Sequence, residues 1–132
     1  MLALGVAGVL VGLVGLAAFL VGRELDASSA QTMAFVTVAL AELVFVFACR
    51  SETQLAWRAP WNGYLVLGVL ASAAIVAAIV YVPFLNAPFA TVPLGAVELI
   101  VAASLALVPA AGVELAKLFR RSRPPRTLTA AL

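Results

Sequence analysis

The sequence contains no histidine, one cysteine (Cys49) and few charged residues, which make up 11% of its 132 positions. A single cysteine excludes an internal disulfide, and one Cys without any His is too few of the usual ligands for a zinc site. Hydrophobic residues make up 65% of the chain, and the mean hydropathy is +1.17. Soluble domains are about 45–50% apolar and about 25% charged. The composition therefore predicts a membrane protein, and its short polar stretches leave no room for a water-soluble catalytic domain.

Four apolar runs predict four transmembrane helices, because each is close to the roughly 20 residues that a bilayer requires. The runs cover about residues 2–22, 30–49, 63–82 and 94–119. The first lacks a positively charged leader and is longer than the apolar part of a signal peptide, so we interpret it as a true span. The predicted fold is a single all-α membrane domain of four transmembrane helices, followed by a basic tail at residues 120–132.

Positive charges near the end of the sequence predict its orientation. Lys and Arg favour the cytoplasmic side of a membrane. Five of them fall in or beside the tail: Lys117, Arg120, Arg121, Arg123 and Arg126. An even number of spans puts both termini on one side, so we expect both in the cytoplasm and these five side chains at the membrane surface. The same charges could also bind anionic lipid.

Glu42 is the one charged residue between Thr32 and Cys49. An ionised acid at such depth costs about 2.5 kcal/mol or more, so intramembrane acids usually face protein and often serve ions or protons. The alternative is a protonated or hydrogen-bonded packing residue. The residues three and four positions away carry no side-chain oxygen: Val38, Ala39, Phe45 and Val46. Since calcium takes about six to eight oxygen ligands, Glu42 needs partners on another helix or stays protonated.

Four glycines of the first span lie on one helical face, because they are spaced three, four and three residues apart. They are Gly5, Gly8, Gly12 and Gly15. In lipid, glycine lets two helix backbones approach closely and gain van der Waals contacts. The pattern predicts a tightly packed helix partner along this face, either within the four spans or on a further helix.

The last span carries a proline and two acids. Pro109 removes a backbone hydrogen bond and predicts a kink in this helix. Glu98 is expected near the outer headgroups, where water can reach it. Glu114 is expected to form an ion pair with Lys117, three residues later. Neither acid is deep, so we interpret both as structural.

Several segments resemble P-type cation-transporting ATPases of the calcium-pump type. Residues 31–35 (QTMAF), 41–43 (AEL) and 49–52 (CRSE) resemble the eighth transmembrane helix of that family. Residues 81–85 (YVPFL) and 91–94 (TVPL) resemble the end of its ninth helix and the loop into its tenth. Residues 108–109 (VP) and 113–118 (VELAKL) resemble the tenth helix, and the glycine face is similar to the seventh. The resemblance covers nearly the whole chain in order, and it implies the C-terminal membrane region, helices seven to ten.

The resemblance implies a function for Glu42 and for the glycine face. In the sarcoplasmic-reticulum branch, an acid at the position matching Glu42 is a ligand of one calcium site, whereas many related pumps have Gln or another residue there. The chain is then a membrane-domain fragment of a cation pump, calcium being the expected ion. It supports helix packing, contributes one ion ligand and holds no cofactor of its own. The glycine face would pack against the family's long fifth helix.

The sequence has no counterpart of the family's phosphorylated aspartate motif or nucleotide domain, so this chain alone is not expected to be an enzyme. Two alternatives stay open: an accessory or regulatory membrane protein derived from this domain, and a small ion transporter in which a homo-oligomer gathers several Glu42 carboxylates.

Expected partners are the lipid bilayer and the remaining helices and domains of a pump, with no nucleic acid. An arginine-rich composition suggests a multi-pass protein of a prokaryotic plasma membrane. The initial Met1 suits a separate short reading frame, an excised piece or a truncated gene.

Overall fold

The structure, a computed structural model, describes residues 2–48 and 62–121, with side chains for 5–48 and 62–119. These residues contain no strand. They form five helices: α1 (Leu2–Leu25), α2 (Ala30–Ala48), α3 (Gly63–Tyr81), α4 (Pro83–Phe89) and α5 (Ala96–Arg121). All except α4 are long and apolar enough to cross a membrane. The all-α fold class and the four predicted spans are thereby confirmed.

A tight turn around Asp26 reverses the chain between α1 and α2. The Asp26 carboxylate accepts hydrogen bonds from the backbone amide (3.0 Å) and the hydroxyl (2.8 Å) of Ser28. These bonds favour the ionised form and hold the pKa of Asp26 below its usual value. The Asp26 carbonyl accepts from the hydroxyl of Ser29 at 2.9 Å. The turn lets α2 return against α1 so closely that a Cβ atom on Gly22 would lie 2.7 Å from the Cα atom of Ala30.

Three helices, α1, α2 and α5, pack against one another at the centre of the bundle. Small residues line their contacts, as expected where helices in lipid associate by close van der Waals packing. Eight of the buried positions are alanine: Ala7, Ala18, Ala30, Ala41, Ala48, Ala102, Ala106 and Ala110. α3 contacts α2 and α4 and exposes most of its surface. It joins the core only at its C-terminal end, where Val80 packs in one cluster with Met33, Val36, Leu94 and Ala102.

The end of α3 is closed by side chains from the following segment. Pro83 has no amide hydrogen, so it cannot donate to the carbonyl of Ile79 one turn earlier. The Thr91 hydroxyl donates to that carbonyl at 2.7 Å. The side-chain amide of Asn86 donates to the carbonyl of Val80 at 2.8 Å. Carbonyls that the helix end leaves without amide donors therefore have partners inside the chain.

Further hydrogen bonds connect the same segment to α2 and α5. The Val92 amide donates to the Thr32 hydroxyl on α2 at 2.9 Å. The Gly95 amide donates to the Glu98 carboxylate at 2.7 Å, which caps the start of α5. We call this end of the bundle the loop end, comprising residues 22–33 and 79–98. The other end, where α2 and α5 finish, is the terminal end.

Candidate functional site

The Glu42 side chain is exposed on the outside of the described bundle. It belongs to an uncovered face of α2 that also includes Phe35 and Val46, seven residues before it and four after, which are 36% and 41% exposed. No described residue donates a hydrogen bond to the Glu42 carboxylate, and the described residues hold no group of three or more His, Cys, Asp or Glu side chains that could bind a metal. The described helices therefore leave this acid without ligands or donors around it.

The glycines of α1 divide into two groups. A Cβ atom on Gly15 would lie 2.6 Å from the Cγ2 atom of Val38, so this glycine packs directly on α2. A Cβ atom on Gly5, Gly8 or Gly12 would meet nothing within 4 Å. The predicted partner is thus present for Gly15 within the four spans. For the other three glycines a close helix partner stays a prediction, since no described helix lies against them.

The contacts of Gly15 and Gly22 fix how α1 and α2 align. Gly22 lies against Ala30, and Gly15 lies against Val38. A step of seven residues towards the start of α1 therefore matches a step of eight residues towards the end of α2. One further turn of α2, from Val38 to Glu42, corresponds to three or four residues back from Gly15, so Glu42 lies close to the height of Gly12. Glu42 and the other three glycines of this face are all exposed. We call these four exposed positions the open face: Gly5, Gly8, Gly12 and Glu42.

Lys117 is only 7% exposed and lies between α5 and the end of α2. Its Nζ atom donates to the Oε1 atom of Glu114 at 2.9 Å, which confirms the predicted ion pair. It also donates to the carbonyl of Ala48, the last residue of α2. The structure thus places Lys117 in the packed terminal end, and its expected position at the membrane surface stays a prediction.

The other residues of the predicted basic surface are described less fully. The backbone of α5 includes Arg120 and Arg121, but their side chains lie outside the described residues, as do Arg123 and Arg126 altogether. Their predicted surface role stays a prediction. α5 continues as one helix through the buried Pro109, and the kink expected there also stays a prediction.

Sequence reasoning missed two buried polar features. One is the bond from Lys117 to Ala48, which joins residues 69 positions apart and has no local pattern. The other is the hydroxyl of Thr37, which is fully buried and has no hydrogen-bond partner among the described residues. A threonine in an apolar helix carries no signal that distinguishes a buried hydroxyl from one bonded to its own backbone.

A four-span helical membrane domain with one acid on an uncovered face is typical of the membrane part of an ion-transport protein. The family model for the C-terminus of cation-transporting ATPases matches residues 1–119. The chain therefore belongs to this family, the C-terminal membrane region of P-type ATPases of the calcium type. Over 80 residues it is 39% identical to a calcium-transporting ATPase of Bacillus subtilis (strain 168). That stretch is 58% of this chain and 9% of the relative, so the chain spans a small part of that protein.

Proposed function

We propose that this chain supplies the last four helices of the membrane domain of a cation pump, and that Glu42 is one ligand of the transported ion. The observation that carries this proposal is the exposure of Glu42 on a face that no described helix covers. An acid facing lipid at that depth costs about 2.5 kcal/mol or more. Burial of the same face against further helices removes this cost and brings in oxygen ligands that the described residues do not supply.

The glycines beside Glu42 support the same proposal. A helix lying on Gly8 and Gly12 can approach α1 more closely than a helix lying on larger side chains. Its side chains and carbonyls then come within reach of Glu42, which lies close to the height of Gly12. One carboxylate supplies one or two of the roughly six to eight oxygen ligands that calcium takes. The remaining ligands would come from the partner helices.

Calcium is the ion we propose, because the relative from Bacillus is named a calcium-transporting ATPase and an acid at Glu42 suits a hard divalent cation. ATP hydrolysis would be performed by cytoplasmic domains of the pump and transmitted to this region through its other helices. We place the protein in a prokaryotic plasma membrane with both termini in the cytoplasm, following the positive charges of its tail.

ATP-driven calcium uptake by membrane vesicles tests the proposal. The chain is co-expressed with a fragment that carries the first six helices and the cytoplasmic domains of a related pump. Glu42→Gln should lower the apparent calcium affinity by about tenfold or more, since loss of one charged ligand removes at least about 1.4 kcal/mol of binding free energy. The matched control is Glu98→Gln, because glutamine can still accept the hydrogen bond from the Gly95 amide.

Each outcome separates the hypotheses. Uptake that is restored and insensitive to Glu42→Gln would overturn the ligand role and leave Glu42 as a packing residue. A failure of the two fragments to associate would overturn the proposal in favour of an accessory or regulatory protein. Cation binding by a homo-oligomer of the purified chain would favour the small oligomeric transporter.

A further inference from the structure

The end of α2 is held by a cation from another helix. Ala48 is the last described residue of α2 and is 2% exposed, so its surroundings are protein. The ammonium group of Lys117 donates to its carbonyl from α5. Hydrogen bonds from a charged donor are about twice as strong as neutral ones. This contact therefore attaches the last described turn of α2 firmly to α5.

The Lys117 ammonium is itself fixed from two directions. It is buried, and its second described acceptor is the carboxylate of Glu114, one turn earlier on α5 at 2.9 Å. A buried ammonium needs such acceptors, because loss of the water around an ion costs several kcal/mol. Glu114 and Lys117 belong to one helix, so together they form a rigid attachment point on α5 for the end of α2.

The contact at Ala48 acts on the position of Glu42. Glu42 precedes Ala48 by six residues, which is about 9 Å along the helix axis. The continuous helix between them transmits a movement of its end along that axis to Glu42. The opposite end of α2 is held by the hydrogen bond from the Val92 amide to Thr32 at 2.9 Å. α2 is thus held at both ends, and the terminal attachment is the one nearer to Glu42.

We infer that Lys117 is a positioning residue that sets the depth of Glu42 on the open face through the carbonyl of Ala48. The effect of Lys117 on transport depends on the proposed ligand role of Glu42. The effect of Lys117 on the depth of residue 42 does not depend on that role, and this depth can be measured without any ion.

A spin label at residue 42 measures that depth. The full chain carries Cys49→Ser and Glu42→Cys, is labelled with a nitroxide and is placed in lipid nanodiscs. Collision rates with oxygen and with a water-soluble nickel complex then report the depth of the label. Lys117→Met should shift this depth by about 1.5 Å or more, the rise of one helical residue. Lys117→Arg, which keeps the charge and the donors, should restore the original depth.

Two further variants separate the loss of the Lys117–Ala48 contact from a general loss of structure. Glu114→Gln removes the negative charge but leaves Lys117 able to reach Ala48, so it should shift the label less than Lys117→Met. A label at Val97, which is 64% exposed near the start of α5, should keep its depth in every variant if the bundle remains assembled. If Lys117→Met does not assemble, Lys117→Gln, which can still donate one hydrogen bond, should give an intermediate shift.

An unchanged depth at residue 42 in an assembled Lys117→Met or Lys117→Gln chain would overturn the positioning role, whatever the uptake assay shows. A shift of the label by Lys117→Arg that is as large as the shift by Lys117→Met would also overturn the positioning role. In contrast, calcium uptake that is insensitive to Glu42→Gln would overturn the ligand role and leave the depth measurement as it stands. The two proposals therefore fail separately.

Discussion

The loop end and the open face differ in whether their polar side chains are hydrogen-bonded within the chain. At the loop end, the side chains of Asn86, Thr91 and Thr32 make hydrogen bonds of 2.7–2.9 Å with backbone groups of the same chain. On the open face, Glu42 receives no hydrogen bond from any described residue. Groups at the loop end hold the bundle together, whereas the Glu42 carboxylate makes no hydrogen bond within the described bundle.

The glycines of α1 also differ between the two regions, in whether another helix lies against them. Gly22, at the loop end, is in close contact with the α2 backbone, whereas Gly8, on the open face, faces empty space. Near the loop end, glycine lets this chain pack on itself. On the open face, the same residue type has no described neighbour, which is what the proposed contact with further helices predicts.

The largest effect is expected at Gly22. A Cβ atom there would lie 2.7 Å from the Ala30 Cα atom and 3.1 Å from the Met33 sulfur, and the backbone atom cannot move aside easily. Gly22→Ala should therefore lower the free energy of unfolding of the chain by about 3 kcal/mol, the upper range for overpacking. An SDS titration in mixed micelles measures this change.

Gly8→Ala is the matched control, because it makes the same substitution on the same helix. No atom lies within 4 Å of the new Cβ, and alanine favours the helix, so stability should stay unchanged or rise by up to about 1 kcal/mol. Equal destabilisation by the two substitutions would show that the open face is packed within the chain, and the comparison would fail.

A smaller loss is expected for Asn86→Ala. This substitution removes the donor for the Val80 carbonyl and for the Thr91 hydroxyl, at 2.8 and 3.1 Å. Stability should fall by about 2 kcal/mol, since a buried acceptor without a partner costs about 1–3 kcal/mol. The same titration measures it.

Asn62→Ala provides the asparagine control. Asn62 is exposed and caps the start of α3 by accepting from the Tyr64 amide at 3.1 Å. Loss of such a cap costs about 1 kcal/mol. If the two asparagines were equally important, the hydrogen bonds at the loop end would be no more than ordinary helix caps.

Apolar run length predicted the four long helices, because a backbone in lipid must satisfy its hydrogen bonds within itself. It did not predict α4. Pro83 and Pro88 fall within its seven residues, a composition typical of a loop. The helix forms because Pro83 occupies its first turn, where a missing amide hydrogen does no harm. The first and last long helices also extend beyond the expected spans, to Leu25 and Arg121.

The sequence identified Glu42 as the candidate site residue, but it did not predict which helices and side chains surround it. The depth of Glu42 follows from its place in an apolar run, but which helix covers which face depends on packing between distant segments. Lys117 shows the same limit. From its charge, Lys117 is predicted to lie at the membrane surface. In the structure, its ammonium group donates a hydrogen bond inside the bundle to a carbonyl 69 positions away, at the end of another helix.

The smallest effect is expected at the residue that the sequence marks most strongly. Glu42→Leu should change the free energy of unfolding of the isolated chain by no more than about 0.5 kcal/mol, as for other exposed positions without special contacts. The carboxylate is exposed in the described bundle and receives no hydrogen bond from it, so unfolding in micelles breaks none there. The SDS titration used for Gly22 and Asn86 measures this variant too.

A loss of more than about 1 kcal/mol would mean that the Glu42 carboxylate has a partner within its own chain, since a lost hydrogen bond to a charged group has about that effect or more. The open face would then be a packed surface, and its distinction from the loop end would disappear. Unchanged stability combined with weakened calcium uptake in the co-expressed pump has the opposite meaning. A residue that the isolated chain does not need for folding, but that the pump needs for its ion, must act at the contact between this chain and the helices that cover it.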